Sequence, residues 1–206
     1  MSEYSTSQHK VDCEAQALGT MKKSLEEQFQ AKVSDWVGFT ELFSIKTLEA
    51  NEDWVKAGEH CSQFCFIVSG LMRIYYIDHA GNEVNEGFYD KGRLVGPVSS
   101  MVSNDACQYY IQALEPSELL VADYRKFHEV GYDKPDWLRF EIKFMQQIYL
   151  RSARRDAQLL LGNAEQRYRW FCKEYPDLIK RIPQYQIASY LGVTPVTLSR
   201  LRKKSG

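Results

Sequence analysis

The last part of the chain carries residues whose types and spacing could bind DNA. Residues 184–191 predict one short helix, and Gly192 can supply the left-handed conformation of a sharp turn. Thr194 is suited to cap a second helix, and Pro195 to be its first residue, where no amide bond is lost. Two short helices joined at such a turn are typical of the DNA-binding helix-turn-helix.

The second helix has an apolar side and a polar side. Leu198 and Leu201 form its buried stripe, and the opposite face could meet base edges and phosphates. The alternative interpretation is a helical hairpin that happens to end in basic residues, since cations are favoured at helix C-termini. The outward side chains are Val196, Ser199, Arg200 and Lys203, flanked by Thr197 and Lys204.

The charge is distributed unevenly between the two parts of the chain. Residues 1–136 hold 12 Lys and Arg against 22 Asp and Glu, and residues 137–206 hold 14 against 5. The net charges of −10 and +9 nearly cancel, to −1 for the whole chain. A basic region attracts phosphates, although two domains of opposite charge could also attract each other. Because the basic part contains the helix-turn-helix, DNA is the favoured partner.

Composition limits the other classes of function. The 206 residues contain no apolar run long enough for a membrane span and no signal segment, so we expect a cytoplasmic protein with no membrane partner. Five dispersed cysteines indicate reduced thiols rather than disulfides. No cofactor and no metal site is predicted, with a haem or iron-sulfur site as the open alternative. Common phosphate-loop, metalloprotease and nucleophile-elbow motifs are absent, so we predict no catalytic residues and no enzyme.

Periodicity predicts an α+β chain in four parts. Residues 1–20 are expected to be a flexible N-terminus, and residues 21–135 a small antiparallel β-sandwich or β-roll. Residues 136–162 are expected to form a long connecting helix, and residues 163–206 the helix-turn-helix domain. The runs that predict strands are Phe64–Val68, Leu71–Ile77, Val84–Tyr89, Tyr109–Leu114 and Glu118–Asp123.

The long helix carries two apolar stripes. Asp136 is predicted to cap it, Gly162 to end it and Asn163 to cap the next helix, with Gln166 completing a capping box. One stripe can cover the roll, and the other could pair with a second copy of the helix, which predicts a homodimer. A helix buried on both sides within a monomer is the alternative. The stripes are Trp137, Phe140, Phe144 and Ile148, and Leu138, Ile142, Met145 and Tyr149.

This order of parts resembles the Crp/Fnr family of bacterial transcription regulators, over nearly the whole chain from residue 20. The resemblance implies a cyclic nucleotide-binding-like roll, a dimer, and an effector that reorients the DNA-binding domains. It also implies RNA polymerase as a possible further partner. The elements that carry it are Ala-Gly-Glu at 57–59, Phe-Ile-Val-Ser-Gly-Leu-Met-Arg at 66–73, Gly81, Gly92, Gly96, Ile-Ala-Ser-Tyr-Leu-Gly-Val-Thr at 187–194 and Thr-Leu-Ser-Arg at 197–200.

The sequence departs from the family in the cassette that holds a cyclic phosphate. Counted without gaps from Gly96, Pro97 stands at the usual Glu position and Cys107 at the usual Arg position. Both charged contacts are missing, so cAMP is not expected to bind and the effector is unknown. A small organic effector, a redox signal at Cys107 and a roll filled by its own side chains remain alternatives. The candidate effector pocket comprises Gly96, Pro97, Val98, Cys107, Gln108 and Tyr109.

The resemblance also implies roles in DNA binding. Thr194 and Thr197 match phosphate-contacting positions, and Pro195, Val196 and Arg200 match base-facing ones. Family members usually continue into a β-hairpin wing, whereas here we expect the helix-turn-helix to lack a full wing. The leading prediction is a dimeric transcription regulator that binds double-stranded DNA. The alternative is a ligand-binding or protein-interaction module whose DNA-binding domain has decayed.

Overall fold

The computed structural model describes residues 2–29 and 32–205, and in that part of the chain the fold is α+β, as predicted. Two helices precede a region of short strands, one short helix lies among the strands, and five helices of the described residues follow them. The strands are β1 (Phe43–Leu48), β2 (Asp53–Val55), β3 (Gln63–Ser69), β4 (Leu71–Ile77), β5 (Glu83–Asp90), β6 (Leu94–Val95), β7 (Tyr110–Ala113) and β8 (Ser117–Asp123). The helices are α1 (Ser2–Phe29), α2 (Trp36–Thr40), α3 (Val98–Ser103), α4 (Tyr124–Gly131), α5 (Pro135–Leu161), α6 (Ala164–Glu174), α7 (Gln184–Leu191) and α8 (Pro195–Ser205).

The strands form two four-stranded sheets, ordered β1-β8-β3-β6 and β2-β7-β4-β5. In the first sheet β8 pairs antiparallel with both β1 and β3, so Leu120 lies opposite Ile45 and Phe66. Gly70 joins β3 to β4 with a φ of +100°, and a Cβ there would lie 2.7 Å from the Cα of Ser117. Glycine is therefore required at this tight connection.

The chain divides into two compact units. The roll unit comprises Met1–Arg73 and Phe88–Phe144, and the C-terminal unit comprises Ile74–Gly87 and Met145–Gly206. The boundaries predicted between residues 135 and 136 and between residues 162 and 163 do not coincide with this division. The β4–β5 hairpin and the C-terminal half of α5 belong with α6–α8, because side chains of α5 and α7 bond to that hairpin.

The core of the roll unit is aromatic. The Phe39 ring makes edge-to-face contacts with Phe127, Trp137 and Phe140, at centroid distances of 5.7, 5.2 and 5.6 Å. Such pairs stabilise a core beyond the burial of their area. Three residues of the first predicted stripe, Trp137, Phe140 and Phe144, are buried, as the spacing predicted, whereas the fourth, Ile148, is half-buried.

The N-terminal part of the chain differs from the sequence prediction. A flexible segment was expected over residues 1–20, whereas α1 begins at Ser2 and continues to Phe29. Ala17, Met21 and Leu25 lie four positions apart and are almost fully buried. This apolar stripe orders the helix through packing, which the polar composition of residues 1–16 did not indicate.

The long helix α5 has 27 residues and a length of about 40 Å. The prediction that Asp136 caps it is wrong, because the helix begins at Pro135 and Asp136 lies in its first turn. Asp136 Oδ2 instead accepts hydrogen bonds from the backbone N and Oγ of Ser34, at 2.6 and 2.9 Å. On the second apolar stripe, Ile142 is 57% exposed and Tyr149 is 72% exposed.

Candidate nucleic-acid interface

Local signals set the start of the C-terminal helices. Asn163 caps α6 by accepting from the backbone N of Gln166 at 3.0 Å, and Gln166 Oε1 accepts from the backbone N of Asn163 at 2.9 Å. The predicted capping box is therefore present. Gly192 ends α7 in the left-handed conformation with a φ of +62°. Together these residues fix where α6 begins and where the chain turns towards α8.

The turn between α7 and α8 is held from α6. Arg167 Nη1 donates to the carbonyl oxygen of Leu191 at 2.8 Å, which satisfies a carbonyl at the C-terminus of α7. Thr194 Oγ1 accepts from the backbone N of Thr197 at 3.2 Å and so caps α8, as predicted. Both ends of the turn thus have specific hydrogen-bond partners.

Apolar packing orients α8. Leu198 is fully buried, and so are Ile187, Ala188 and Leu191 of α7. The small side chain of Ala188 suits close helix contact at this crossing. Leu201, the second residue of the predicted stripe, is half-buried. With this stripe facing inward, the opposite side of α8 is directed to solvent.

The residues predicted to bind DNA lie together on and beside α8. The Val196 side chain is 61% exposed, although it is apolar. Thr197 is half-buried, and its Oγ1 lies 3.0 Å from Oγ1 of Thr194. The remaining residues of the predicted set, all exposed, are Thr194, Pro195, Ser199, Arg200 and Lys203.

Three features of this region were missed from the sequence. Tyr185, at the N-terminal end of α7, is 60% exposed. A signal was available, because Tyr185 lies two residues before Ile187 and hence on the opposite side of the helix. Lys204 donates to Glu165 Oε2 at 2.8 Å, which ties the end of α8 to α6. Gln186 was treated as a helix residue without a role, yet it is almost fully buried.

Aromatic side chains and arginines support the helices from behind. The rings of Trp170 and Tyr190 stack at 6.1 Å, and the guanidinium of Arg155 lies 5.1 Å from the Tyr190 ring centre. Burial and the nearby Tyr175 hydroxyl raise the pKa of Tyr190 far above its usual value. Tyr190 is therefore neutral at physiological pH, and Arg155 of α5 contacts the aromatic cluster.

The candidate effector segment makes its polar contacts within the roll unit. Cys107 Sγ donates to the carbonyl oxygen of Tyr109 at 3.2 Å, and the Cys107 backbone bonds to Glu59 and Gly58 at 2.8 Å each. Burial raises the pKa of the Cys107 thiol above 9.0, so the thiol is protonated at neutral pH. A Cβ on Gly96 would lie 2.8 Å from the sulfur of Met101. Gly96 and Pro97 are buried, Val98 and Tyr109 are half-buried, and Gln108 is exposed.

A cleft of about 830 Å³ lies between α3 and α4, outside the six predicted effector residues. Tyr124 and His128 line it, and both bond to Glu141 of α5, with His128 Nδ1 3.1 Å from Glu141 Oε2. Burial and the hydrogen bond to Glu141 raise the pKa of Tyr124 well above its usual value. The exposed side chain of Tyr132 borders the cleft.

The described residues show neither a membrane-spanning helix nor a cluster of metal ligands. Within residues 2–29 and 32–205, no helix is long and apolar enough to cross a membrane. The same part of the chain holds no group of three or more His, Cys, Asp and Glu side chains placed to bind a metal ion.

Comparisons with known proteins identify relatives of this chain. Residues 45–131 match the family model of the cyclic nucleotide-binding domain. The fumarate and nitrate reduction regulatory protein of Vibrio cholerae is 25% identical over 167 residues, which are 76% of this chain and 66% of that protein. The chain thus spans slightly less than two thirds of the length of that curated relative.

Solved structures share the fold. The c-di-GMP responsive global regulator CLP of Xanthomonas campestris superposes with a TM-score of 0.67 and 16% identity, over 81% of this chain and 88% of that one. FixK2 of Bradyrhizobium japonicum gives a TM-score of 0.67 and 16% identity, over 79% and 83%. CooA of Carboxydothermus hydrogenoformans, a mutant form, gives 0.63 and 17%, over 81% and 78%.

Proposed function

We propose that this chain is a regulator of the Crp/Fnr type, which binds double-stranded DNA through α8 and regulates transcription. The observation that carries the proposal is the solvent-exposed outer face of α8, which combines hydroxyls with Arg200 and Lys203. A helix of this kind fits the major groove, where side chains reach base edges and phosphates. The chain would act by binding rather than by catalysis, in the cytoplasm, where bacterial DNA is accessible.

Arg200 is proposed as the main base-reading residue. Its guanidinium can donate two hydrogen bonds to O6 and N7 of guanine, which discriminates by about 1–3 kcal/mol against other bases. Val196 and Pro195 would contact thymine methyl groups or respond to groove shape. Thr194, Thr197, Ser199 and Lys203 are proposed to contact phosphates or base edges from the same side. Contact with RNA polymerase remains a prediction.

A dimer is the proposed functional form. Two residues of the second stripe of α5, Ile142 and Tyr149, are exposed, whereas Leu138 and Met145 are half-buried. A second copy of the same helix would cover the two exposed side chains. Two recognition helices could then reach successive major-groove turns, roughly 34 Å apart. Sedimentation of Tyr149→Glu tests this, because an introduced charge should shift the protein towards monomer. Tyr132→Glu is the matched control, since Tyr132 is likewise 72% exposed but lies outside α5.

The roll is proposed not to respond to cAMP. An anion in the segment of residues 96–109 would meet Pro97 and Cys107 in place of charged partners. Each missing charge-assisted hydrogen bond weakens the free energy of binding by about 1.5–3 kcal/mol. Isothermal titration calorimetry with cAMP is expected to give no binding heat, and micromolar binding would contradict the proposal.

The central experiment is selection of binding sites from genomic DNA by the purified full-length protein, repeated at two salt concentrations. A recurrent palindrome is expected, because a two-fold dimer reads two half-sites. Affinity should fall steeply as salt rises. The cationic side chains of the protein release counterions from the DNA phosphates when they bind, and added salt opposes this release. Enrichment of no sequence at either salt concentration would contradict the proposal.

A pair of arginine variants assigns the reading face. Arg200→Ala should reduce preference for the selected site over unrelated DNA by about 5- to 150-fold, the equivalent of a lost bidentate base contact. Arg202→Ala removes the same charge from the same helix, at another exposed position two residues away. It should weaken binding to both DNAs similarly and leave the preference intact. Equal loss of preference in both variants would remove Arg200 from the proposed role.

A further inference from the structure

The outer edge of β5 meets α7. Strand β5 is the last in the sheet order β2-β7-β4-β5, so one side of it faces no further strand of the described sheet. Unpaired backbone groups on such an edge need other partners when they are buried. Asn85, in the first half of β5, has no exposed surface. The partners of this residue therefore show what covers the edge.

The backbone of Asn85 bonds to side chains of two helices. Its N–H donates to Ser189 Oγ of α7 at 3.0 Å, and Ser189 Oγ donates in turn to the carbonyl oxygen of Glu83 at 2.8 Å. Its carbonyl oxygen accepts from Arg155 Nη2 of α5 at 2.8 Å. Ser189 thus bridges two backbone groups of the strand, as a neighbouring strand would.

The side chain of Asn85 adds a second set of bonds. Its Nδ2 donates to the backbone oxygen of Gln186 at 3.0 Å and to Gln186 Oε1 at 2.5 Å. Gln186 is 2% exposed, so both amides lie away from water. Buried amides are costly to leave unpaired, which makes such a pair selective for one arrangement of its two elements.

This contact lies within one compact unit. Residues 83–87 of β5 belong with α7, whereas Phe88–Asp90 of the same strand belong to the roll unit. The outer face of α8 stays exposed while α7 is bound to β5. The bound arrangement is consequently compatible with contact between α8 and DNA.

We propose that Asn85 is a positioning residue for DNA binding, which seats α7 on the edge of β5 and thereby fixes the orientation of the helix-turn-helix. The inference rests on the proposed function, because orientation matters where two recognition helices must match two half-sites. A helix-turn-helix that lacks this contact would lose conformational entropy when it adopts the geometry that DNA requires, and this loss would weaken binding. Asn85 itself does not touch DNA.

Hydrogen exchange tests the contact between Asn85 of β5 and helix α7 in the absence of DNA. In Asn85→Ala, the buried Gln186 loses the hydrogen bonds that the Asn85 amide donates to it, so amides of residues 184–191 should exchange about tenfold faster or more. Ser189→Ala should act in the same direction through the backbone contact, and it provides a second variant if Asn85→Ala does not fold. Asn82→Ala is the control, since it removes an amide from the exposed turn of the same hairpin. Unchanged hydrogen exchange in both Asn85→Ala and Ser189→Ala would overturn the proposal.

DNA binding distinguishes positioning from a general folding defect. Asn85→Ala should bind the selected two-half-site DNA about tenfold more weakly, yet bind an isolated half-site like the unaltered protein. It should also tolerate one or two base pairs inserted between the half-sites better than the unaltered protein does. Equal weakening on full site and half-site, or tighter binding to the full site, would overturn the proposal.

The two measurements also separate this inference from the proposed function. If the unaltered protein selects no DNA sequence, the proposed function fails, and with it the role of Asn85 in DNA binding. Hydrogen exchange would then still decide whether Asn85 seats α7. If the unaltered protein binds its site and Asn85→Ala matches it at every spacing, only the positioning role is overturned.

Discussion

Helix α8 and the segment of residues 96–109 use their polar groups in opposite ways. The outer side of α8 leaves Arg200 and Lys203 in solvent. In the segment, Cys107 bonds to Tyr109 and to the backbone of neighbouring residues, and its side chain is buried. A surface that binds a charged partner needs accessible cations, whereas a segment whose groups are paired internally contributes to the fold. The contrast favours α8 over this segment as the place of polyanion binding.

The largest expected effect comes from placing a charge at the buried position 107 of this segment. Cys107→Arg should lower the free energy of unfolding by about 1–3 kcal/mol, because a guanidinium much larger than the thiol would have to fit where the Cys107 side chain is buried. Urea denaturation followed by fluorescence measures the change. Gln108→Arg adds the same charge at an exposed neighbouring position and should leave stability nearly unchanged. A stable Cys107→Arg that also binds cAMP would show that the segment is an open anion site.

A smaller effect is expected at the start of α8. Thr194→Ala removes the hydroxyl that accepts from the backbone N of Thr197, which should cost about 1 kcal/mol of stability. Thr194→Ser keeps the capping oxygen and should retain most of it. Denaturation curves of the two variants check this. If Thr194→Ser loses as much stability as Thr194→Ala, the cap is not what holds α8 in place.

The helical parts of the fold were predictable because their signals are local. The capping box at Asn163 and Gln166 lies within four residues, and Gly192 marks the end of α7 by its own conformational freedom. The long helix was also predicted, apart from the role of Asp136. The exposed face of α8 followed from helix periodicity alone, since Leu198 fixes which side is buried.

Features that depend on distant pairing were not predictable. Strand β1 pairs with β8 more than sixty residues later, and neither β1 nor the two-residue strand β6 has a distinctive composition. The contact between Asn85 and Gln186 joins residues 101 positions apart. The cleft beside α4 likewise needs Glu141 of α5 to hold Tyr124 and His128. Sequence patterns report periodicity along one element, not which elements meet.

The smallest expected effect separates two neighbouring lysines of α8. Lys204 bonds to Glu165, and this hydrogen bond and charge, with a further contribution from Arg169, hold the pKa of Glu165 below 4.5. A lowered carboxyl pKa stabilises the fold above pH 4.5, and the stabilisation is lost as pH falls through the lowered pKa. Lys204→Ala should therefore be slightly less stable than the parent at neutral pH, with a difference that vanishes in acid and at high salt.

Lys203→Ala is the matched variant, and it should change DNA binding rather than stability. Thermal denaturation should not change at neutral pH, whereas the slope of log affinity for DNA against log salt should decrease by about one unit, as for a lost phosphate contact. Lys204→Ala should change this slope less, because its ammonium already binds Glu165. If the two lysines affect the slope equally, the ion pair opens on DNA, and the cationic face of α8 is wider than its hydrogen bonds indicate.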